Sequence, residues 1–252
     1  MSRKRKQSAR AQIINLSEAL VDNGRAMTEG PKRKTWTRHD LRHTKPLTIA
    51  QEDMFHAFFD GQHICAHGSA GTGKSFVAVY LALNELFRSP DVDKIIIVRS
   101  AVPTRDMGFM PGTLEEKEAF YELPYADMFA DMLGRNSTYQ DMKSAGIVKF
   151  CTTSYVRGLT WDNAVIIVDE IQNMTMSEID SVITRTGRDS KLILCGDDKY
   201  QQDLKNGQSC VKDLLRVLSA MKSFSTICFR PEDIVRSELA KSWIKTREEL
   251  QV

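Results

Sequence analysis

At 252 residues, with 42% hydrophobic residues, 7 Pro and 14 Gly, the chain has material for one sizeable globular core and an appendage, which excludes two complete motor domains. No run approaches the roughly 18 apolar residues of a membrane span, and no apolar stretch of signal type follows the opening Met-Ser-Arg-Lys-Arg-Lys, so a cytoplasmic protein without a membrane partner is expected. The net charge of +2 conceals an asymmetry: residues 1–45 carry 12 Lys or Arg against 4 acids, a net +8, whereas residues 46–252 carry 23 against 29, a net −6. The five cysteines are widely spaced and form no C-x-x-C pair, which argues against structural zinc and a disulfide framework and for small buried hydrophobes.

The basic head, 1–45, is expected to stand apart from a domain over 46–252. Within it, Ala9 to Val21 sets Ile13, Ile14, Leu16 and Leu20 close to helical spacing, and Asn23-Gly24 ends that pattern. Lys32-Arg33-Lys34 with Trp36 suits phosphate contact and base stacking, the chemistry of single-stranded nucleic acid; a solvated leader is the competing reading.

From Leu47 onward, short apolar runs alternate with segments of helical period. Ile64 to Ala66, Ile95 to Val98, Ile147 to Cys151, Val165 to Val168, Leu192 to Cys195 and Phe224 to Phe229 read as strands buried on both faces. Helices are expected over Ser75 to Phe87, Ser177 to Arg185, Ser209 to Leu218 and Asp233 to Ile244. Such alternation predicts an α/β fold, a mostly parallel sheet flanked by helices. Thr48-x-x-Gln51 ahead of the first core helix fits a capping box.

Between the first strand and its helix stands Gly68-Ser69-Ala70-Gly71-Thr72-Gly73-Lys74-Ser75, followed by Phe76. This G-x-x-x-x-G-K-S loop, in the strand–helix context that confirms it, cradles the phosphates of a nucleoside triphosphate such as ATP. Lys74 is expected to reach the β- and γ-phosphates and the Ser75 hydroxyl to ligate Mg²⁺. Val165-Ile166-Ile167-Val168-Asp169-Glu170 ends a strand in two carboxylates where a parallel sheet opens on its ligand. Asp169 is positioned to hold Mg²⁺ as a Walker-B aspartate does, and Glu170 is the candidate base for the attacking water. Leu192 to Asp197 ends a third strand in a polar turn, followed by Gln201-Gln202-Asp203, where a glutamine can sense the γ-phosphate.

The segments around these sites resemble the PhoH-like ATPases, relatives of superfamily-one helicases with a single RecA-like core. The matching text is Val98-Arg99-Ser100-Ala101-Val102-Pro103, Gly108 to Lys117, Arg157-Gly158-Leu159-Thr160, Asp169 to Thr175, Thr184-Arg185-Thr186-Gly187 and Asp233 to Ser237, and it covers roughly residues 45 to 240. The resemblance implies ATP hydrolysis, a homo-oligomeric ring, a hexamer, with nucleotide between neighbours, and nucleic acid as substrate, RNA favoured. It further implies that Gln51 reads the adenine edge and that Arg99 and the loop through Glu115 and Glu116 approach nucleic acid. Arg236 is the first choice for the arginine that stabilises the transferring phosphoryl group, with Arg185 and Arg157 as competitors. One departure concerns Gln201: three residues, Asp198 to Tyr200, separate it from Asp197 where the family has two. Two other classes compete with the motor reading: a nucleotide-gated binding protein with slow hydrolysis, and a small-molecule kinase, for which no arginine-rich lid is visible in the sequence.

Overall fold

The computed structural model describes residues 36–100, 114–156, 158–197 and 210–250, with side chains from residue 119 in the second segment. The expectations for the Ala9–Val21 helix, for Lys32 to Lys34, for Arg157 and for Gln201 lie outside the described residues. Six strands form one parallel sheet in the order β3-β2-β4-β5-β1-β6. They are β1 (His63–Gly68), β2 (Lys94–Arg99), β3 (Val148–Thr152), β4 (Ala164–Asp169), β5 (Lys191–Gly196) and β6 (Phe224–Phe229). All six coincide with the apolar runs of the sequence. All six residues of the central strand β4 are buried, which is why its text is unbroken hydrophobic rather than alternating.

Alternate residues of each strand feed two cores, as the pleat requires. One face sets Ile64, Ile95, Ile97, Val165, Ile167 and Ile193 against helices α1 (Ile49–Phe59), α2 (Lys74–Arg88), α3 (Leu114–Leu133) and α4 (Thr138–Ser144). The other sets Cys65, Ile96, Val98, Ile166, Val168 and Leu194 against α5 (Met176–Ile183) and α6 (Val211–Ala220). Helix α2 is buried without a break from Val77 to Glu85, because the sheet, α1 and α3 all cover it. The one carboxylate in that run, Glu85, accepts from Arg88 at 2.9 Å and pairs with Lys191 at 3.0 Å, so the buried charge is compensated.

Three elements differ from expectation. Helices α3 and α4 leave little trace in the sequence: α3 carries Pro124 in its interior, and α4 has only seven residues. The last helix, α7 (Glu238–Leu250), starts five residues later than the Asp233 expected. Pro231–Asp233 instead form a short 3-10 turn, closed by the Arg230 N–H donating to the Asp233 carboxylate at 2.9 Å. Ile234 is then extended, and the Val235 N–H donates to Gly71 O at 3.1 Å, which draws the chain onto the glycine-rich loop before α7 begins.

Of the basic head, the described residues 36–45 lie against the core: Trp36 and Leu41 pack on it, and the Arg42 N–H donates to Met132 O at 2.8 Å. None of the five cysteines forms a disulfide; four of them are buried and Cys228 is exposed. No helix among the described residues is long and apolar enough to cross a membrane.

Candidate active site

The glycine-rich loop turns between β1 and α2, and its glycines answer to local geometry. Gly68 has φ +113°, and a Cβ there would stand 2.0 Å from Phe229 O on β6, so no side chain fits. Gly73, at φ +84°, occupies the residue before α2 and lets the loop enter the helix from a left-handed conformation. The Lys74 ammonium donates to Gly68 O at 2.9 Å, Ser69 O at 2.7 Å and the Thr72 hydroxyl at 3.4 Å. Burial pulls the Lys74 pKa below its ordinary value, while Asp197, Cys195, Asp169 and Glu170 act in the opposite sense. An anion entering the loop would therefore favour the charged form of this lysine, whose hydrogen-bond partners among the described residues are neutral oxygens.

The ends of β4 and β5 complete the cleft. Because β5 lies between β1 and β4, its terminal Gly196-Asp197 emerges between the loop and Asp169, and both residues line the cleft. Asp169 is 6% exposed, and three donors hold it: the Ser75 hydroxyl to Oδ1 at 2.9 Å, the Tyr125 hydroxyl to Oδ2 at 2.9 Å, and the Glu170 N–H to Oδ1 at 3.0 Å. A hydroxyl and a carboxylate already in contact are hard oxygen donors of the kind Mg²⁺ takes alongside phosphate and water. The residues thus fit that ion, although the described residues hold no cluster of three His, Cys, Asp or Glu side chains.

Glu170 adopts φ 58° and ψ 45°, a left-handed conformation uncommon outside glycine. Burial first, then the Asp169 charge, raises its carboxyl pKa; Arg99, the Gln172 amide and Lys74 oppose the rise. The Arg99 guanidinium stands 3.9 Å from the Glu170 carboxylate and 5.4 Å from the centroid of the Tyr121 ring. Gln172, wholly buried, donates to the Glu170 carboxylate through its amide nitrogen and accepts the Asp197 N–H at 2.9 Å through its oxygen. One side chain thereby ties the candidate base to the end of β5.

The cleft encloses about 610 Å³, and Ala70 to Phe76, Arg99, Tyr125, Asp169, Glu170, Asp197 and Arg236 line it. Arg236 lies over its own chain's loop, with its Cγ 2.9 Å from where a Cβ on Gly71 would stand. Helix α7 forms the adjoining wall through Ala240 and Ile244, and the Ser69 hydroxyl donates to Glu248 at 2.7 Å. Gln51 is 4% exposed and outside the cleft lining; its amide donates to Thr72 O at 3.0 Å and accepts the Leu47 N–H at 2.8 Å. Thr48 caps α1 by accepting the Gln51 N–H at 3.3 Å. Arg185 donates to Val156 O and Ser181 O and so ties a loop to α5.

Sequence reasoning missed Tyr125 and Gln172. Gln172 was visible two residues beyond Glu170, within the text that carries the resemblance. Tyr125 had no such signal, since it stands 44 residues from its partner in a helix with an internal proline.

The chain matches the family of PhoH-like proteins over residues 43–248. It is 34% identical over 203 residues to the PhoH-like protein of Bacillus subtilis, covering 79% of this chain and 62% of that protein. It is 34% identical over 208 residues to protein PhoH of Escherichia coli, covering 80% of this chain and 58% of that one. The PhoH-like protein of Mycobacterium tuberculosis is 32% identical over 197 residues, 77% of this chain and 55% of its own length. The chain thus spans little more than half the length of these relatives.

Proposed function

The chain belongs to the PhoH-like protein family, and from that premise we propose that it is a magnesium-dependent ATPase. Its hydrolysis of ATP to ADP and phosphate would be coupled to binding or remodelling single-stranded nucleic acid, RNA foremost, by a cytoplasmic ring of six copies. The observation that carries the ATPase reading is the contact between Ser75, which closes the phosphate loop, and Asp169 at the end of β4, with Glu170 beside it.

In this reading Gly68 to Ser75 bind the triphosphate, and Lys74 exchanges loop carbonyls for β- and γ-phosphate oxygens. Ser75 and Asp169 would hold Mg²⁺, which neutralises charge on the phosphates when bound. Glu170 accepts the proton of the attacking water; its raised pKa suits a group that must gain and then release a proton. Arg236 supplies positive charge at the loop, Gln201 senses the γ-phosphate, and Gln51 supports the loop through Thr72 with the adenine nearby. A ring neighbour closes the open side of the cleft.

The steady-state ATPase rate with and without single-stranded RNA or DNA, at low salt, tests this. Lys74→Ala should lose triphosphate binding, while Glu170→Gln should bind ATP and hydrolyse it about 10²–10⁴-fold more slowly. Wild-type turnover by Glu170→Gln removes it as the base. A second reading, a nucleotide-gated binding protein, draws on α7: the helix contacts the loop through Glu248 yet leaves Leu239 and Trp243 82% and 70% exposed. Basal hydrolysis that neither polymer stimulates would favour it.

A further inference from the structure

Away from the loop, α1 and α2 form a second concavity of about 450 Å³. Its wall is aromatic: Phe55 and Phe59 lie one turn apart on α1, and Tyr80 lies on α2 with its ring stacked 5.6 Å from Phe55. Asn84, one turn beyond Tyr80, lines the same space. It is 7% exposed, and its amide oxygen has no hydrogen-bond partner among the described residues. A buried amide oxygen left without a donor is costly, and a ligand that bonds to it removes the cost.

The rim is basic. Arg38, His43 and Lys45 border the opening, no Asp or Glu among the described residues lines it, and the buried Glu85, next to Asn84 in the chain, is already paired with Lys191 and Arg88. Arg88 itself belongs to the wall, stacked 5.4 Å from the Phe59 centroid. The rim segment is anchored to the body by Leu41 packing and by the Arg42 N–H bond to Met132 O, and is braced internally by the Thr37 N–H bond to the Asp40 carboxylate at 2.8 Å.

An aromatic wall, in which the Phe55 and Phe59 rings meet at 68°, a buried amide oxygen without a partner among the described residues and a basic rim are the three features that recognise a base, its hydrogen-bonding edge and its phosphate. We propose that this concavity is a second binding site, for a nucleobase carrying a phosphate, separate from the phosphate loop. The base packs on Phe55 and Phe59, with Tyr80 backing Phe55 from beneath, Asn84 bonds its edge, and Arg38 and Lys45 hold the phosphate. A carboxamide pairs in two points with N6 and N7 of adenine, which makes adenylate the probe of choice. Asn84 lies about 15 Å along α2 from Lys74, at 1.5 Å per residue, so a ligand here does not occupy the triphosphate cleft. The site stands whether or not the chain hydrolyses ATP. Its ligand chemistry could come from a free nucleotide or from one residue of a single strand.

The test titrates AMP and a ten-residue oligoadenylate, separately, into the full chain, and repeats both with the double variant Arg38→Glu, Lys45→Glu and with Asn84→Ala. Both rim residues are exposed, so the double variant keeps the fold even where Asn84→Ala does not. Wild-type protein should bind at least one probe, and the double variant should bind it at least about tenfold more weakly. The steady-state rate of magnesium-ATP hydrolysis, which reads the phosphate loop alone, should be equal in both proteins and separates failure of this site from failure of the loop. Binding of AMP identifies a free-nucleotide site, and binding of the oligonucleotide alone identifies a strand site. Absence of binding by both probes, or equal binding by wild type and double variant, overturns the proposal.

Discussion

Asp169 has both oxygens committed, one to Ser75 and one to Tyr125, and those bonds hold the carboxylate in one orientation. The phenol is wholly buried, and burial together with Asp169 pushes its pKa far up, so it remains a donor at every working pH. Tyr125→Phe keeps the ring in the core and removes only the hydroxyl. Its expected effect is a several-fold rise in the Mg²⁺ concentration needed for half-maximal ATPase activity, in keeping with the removal of a bond worth about 1 kcal/mol. A magnesium titration of the variant beside wild type checks this, and an unchanged midpoint would mean the phenol does not position the carboxylate. Asp169 and Glu170 were legible because their chemistry is written in consecutive letters at a strand end. Tyr125 and Gln172 were not, because one acts from a helix 44 residues away in the chain and the other looks like an ordinary polar residue until both ends of its amide are found engaged.

At the level of elements, strand neighbours that are remote in sequence bond through side chains as well as through the ladder. His63, at the start of β1, accepts the Leu192 N–H of β5 through Nδ1 at 3.1 Å and stands 5.1 Å from the Phe224 ring centroid of β6. Burial, then the Lys191 charge, lowers its pKa below the usual value of about 6.5. Protonation removes the acceptor, and below about pH 6.5 the unfolded chain binds the proton more readily than the folded one. Stability is thus fully present above that pH and declines as the pH falls toward the folded-state pKa. Urea midpoints between pH 7.5 and 5.5 should fall for wild type and fall less for His63→Asn, whose oxygen can accept the same N–H without titrating. Equal slopes would show that other groups carry the acid sensitivity. The strands were legible because burial on both faces leaves continuous apolar text. Helix α3 was not, since Pro124 interrupts the local signal while packing against α2 and α4 supplies the stability.

For the whole molecule, charge and packing divide the basic head differently. Residues 1–35 carry nine Lys or Arg against three acids. Residues 36–45 add Trp36 and Leu41 to the core. A chain beginning at residue 36 should keep its melting temperature. One beginning at residue 46 should lose on the order of 2 kcal/mol, the worth of two partly buried side chains, and melt several degrees lower. If the head binds nucleic acid, the salt dependence of binding should flatten already on removal of 1–35, by roughly 0.7 in slope for each single-strand phosphate that the head had neutralised. Equal melting temperatures of the two truncated chains would show that the strap over α2 adds nothing to the fold.

The left-handed backbone at Glu170 also bears on how this sequence can change with time. Stability alone would favour glycine or asparagine there, residues that tolerate the conformation at least cost, and a single nucleotide change converts either glutamate codon to a glycine codon. If Glu170 is the base proposed above, the work of its carboxylate is what offsets that backbone cost. A lineage released from that demand would be expected to lose the acid early and to become the sturdier for it.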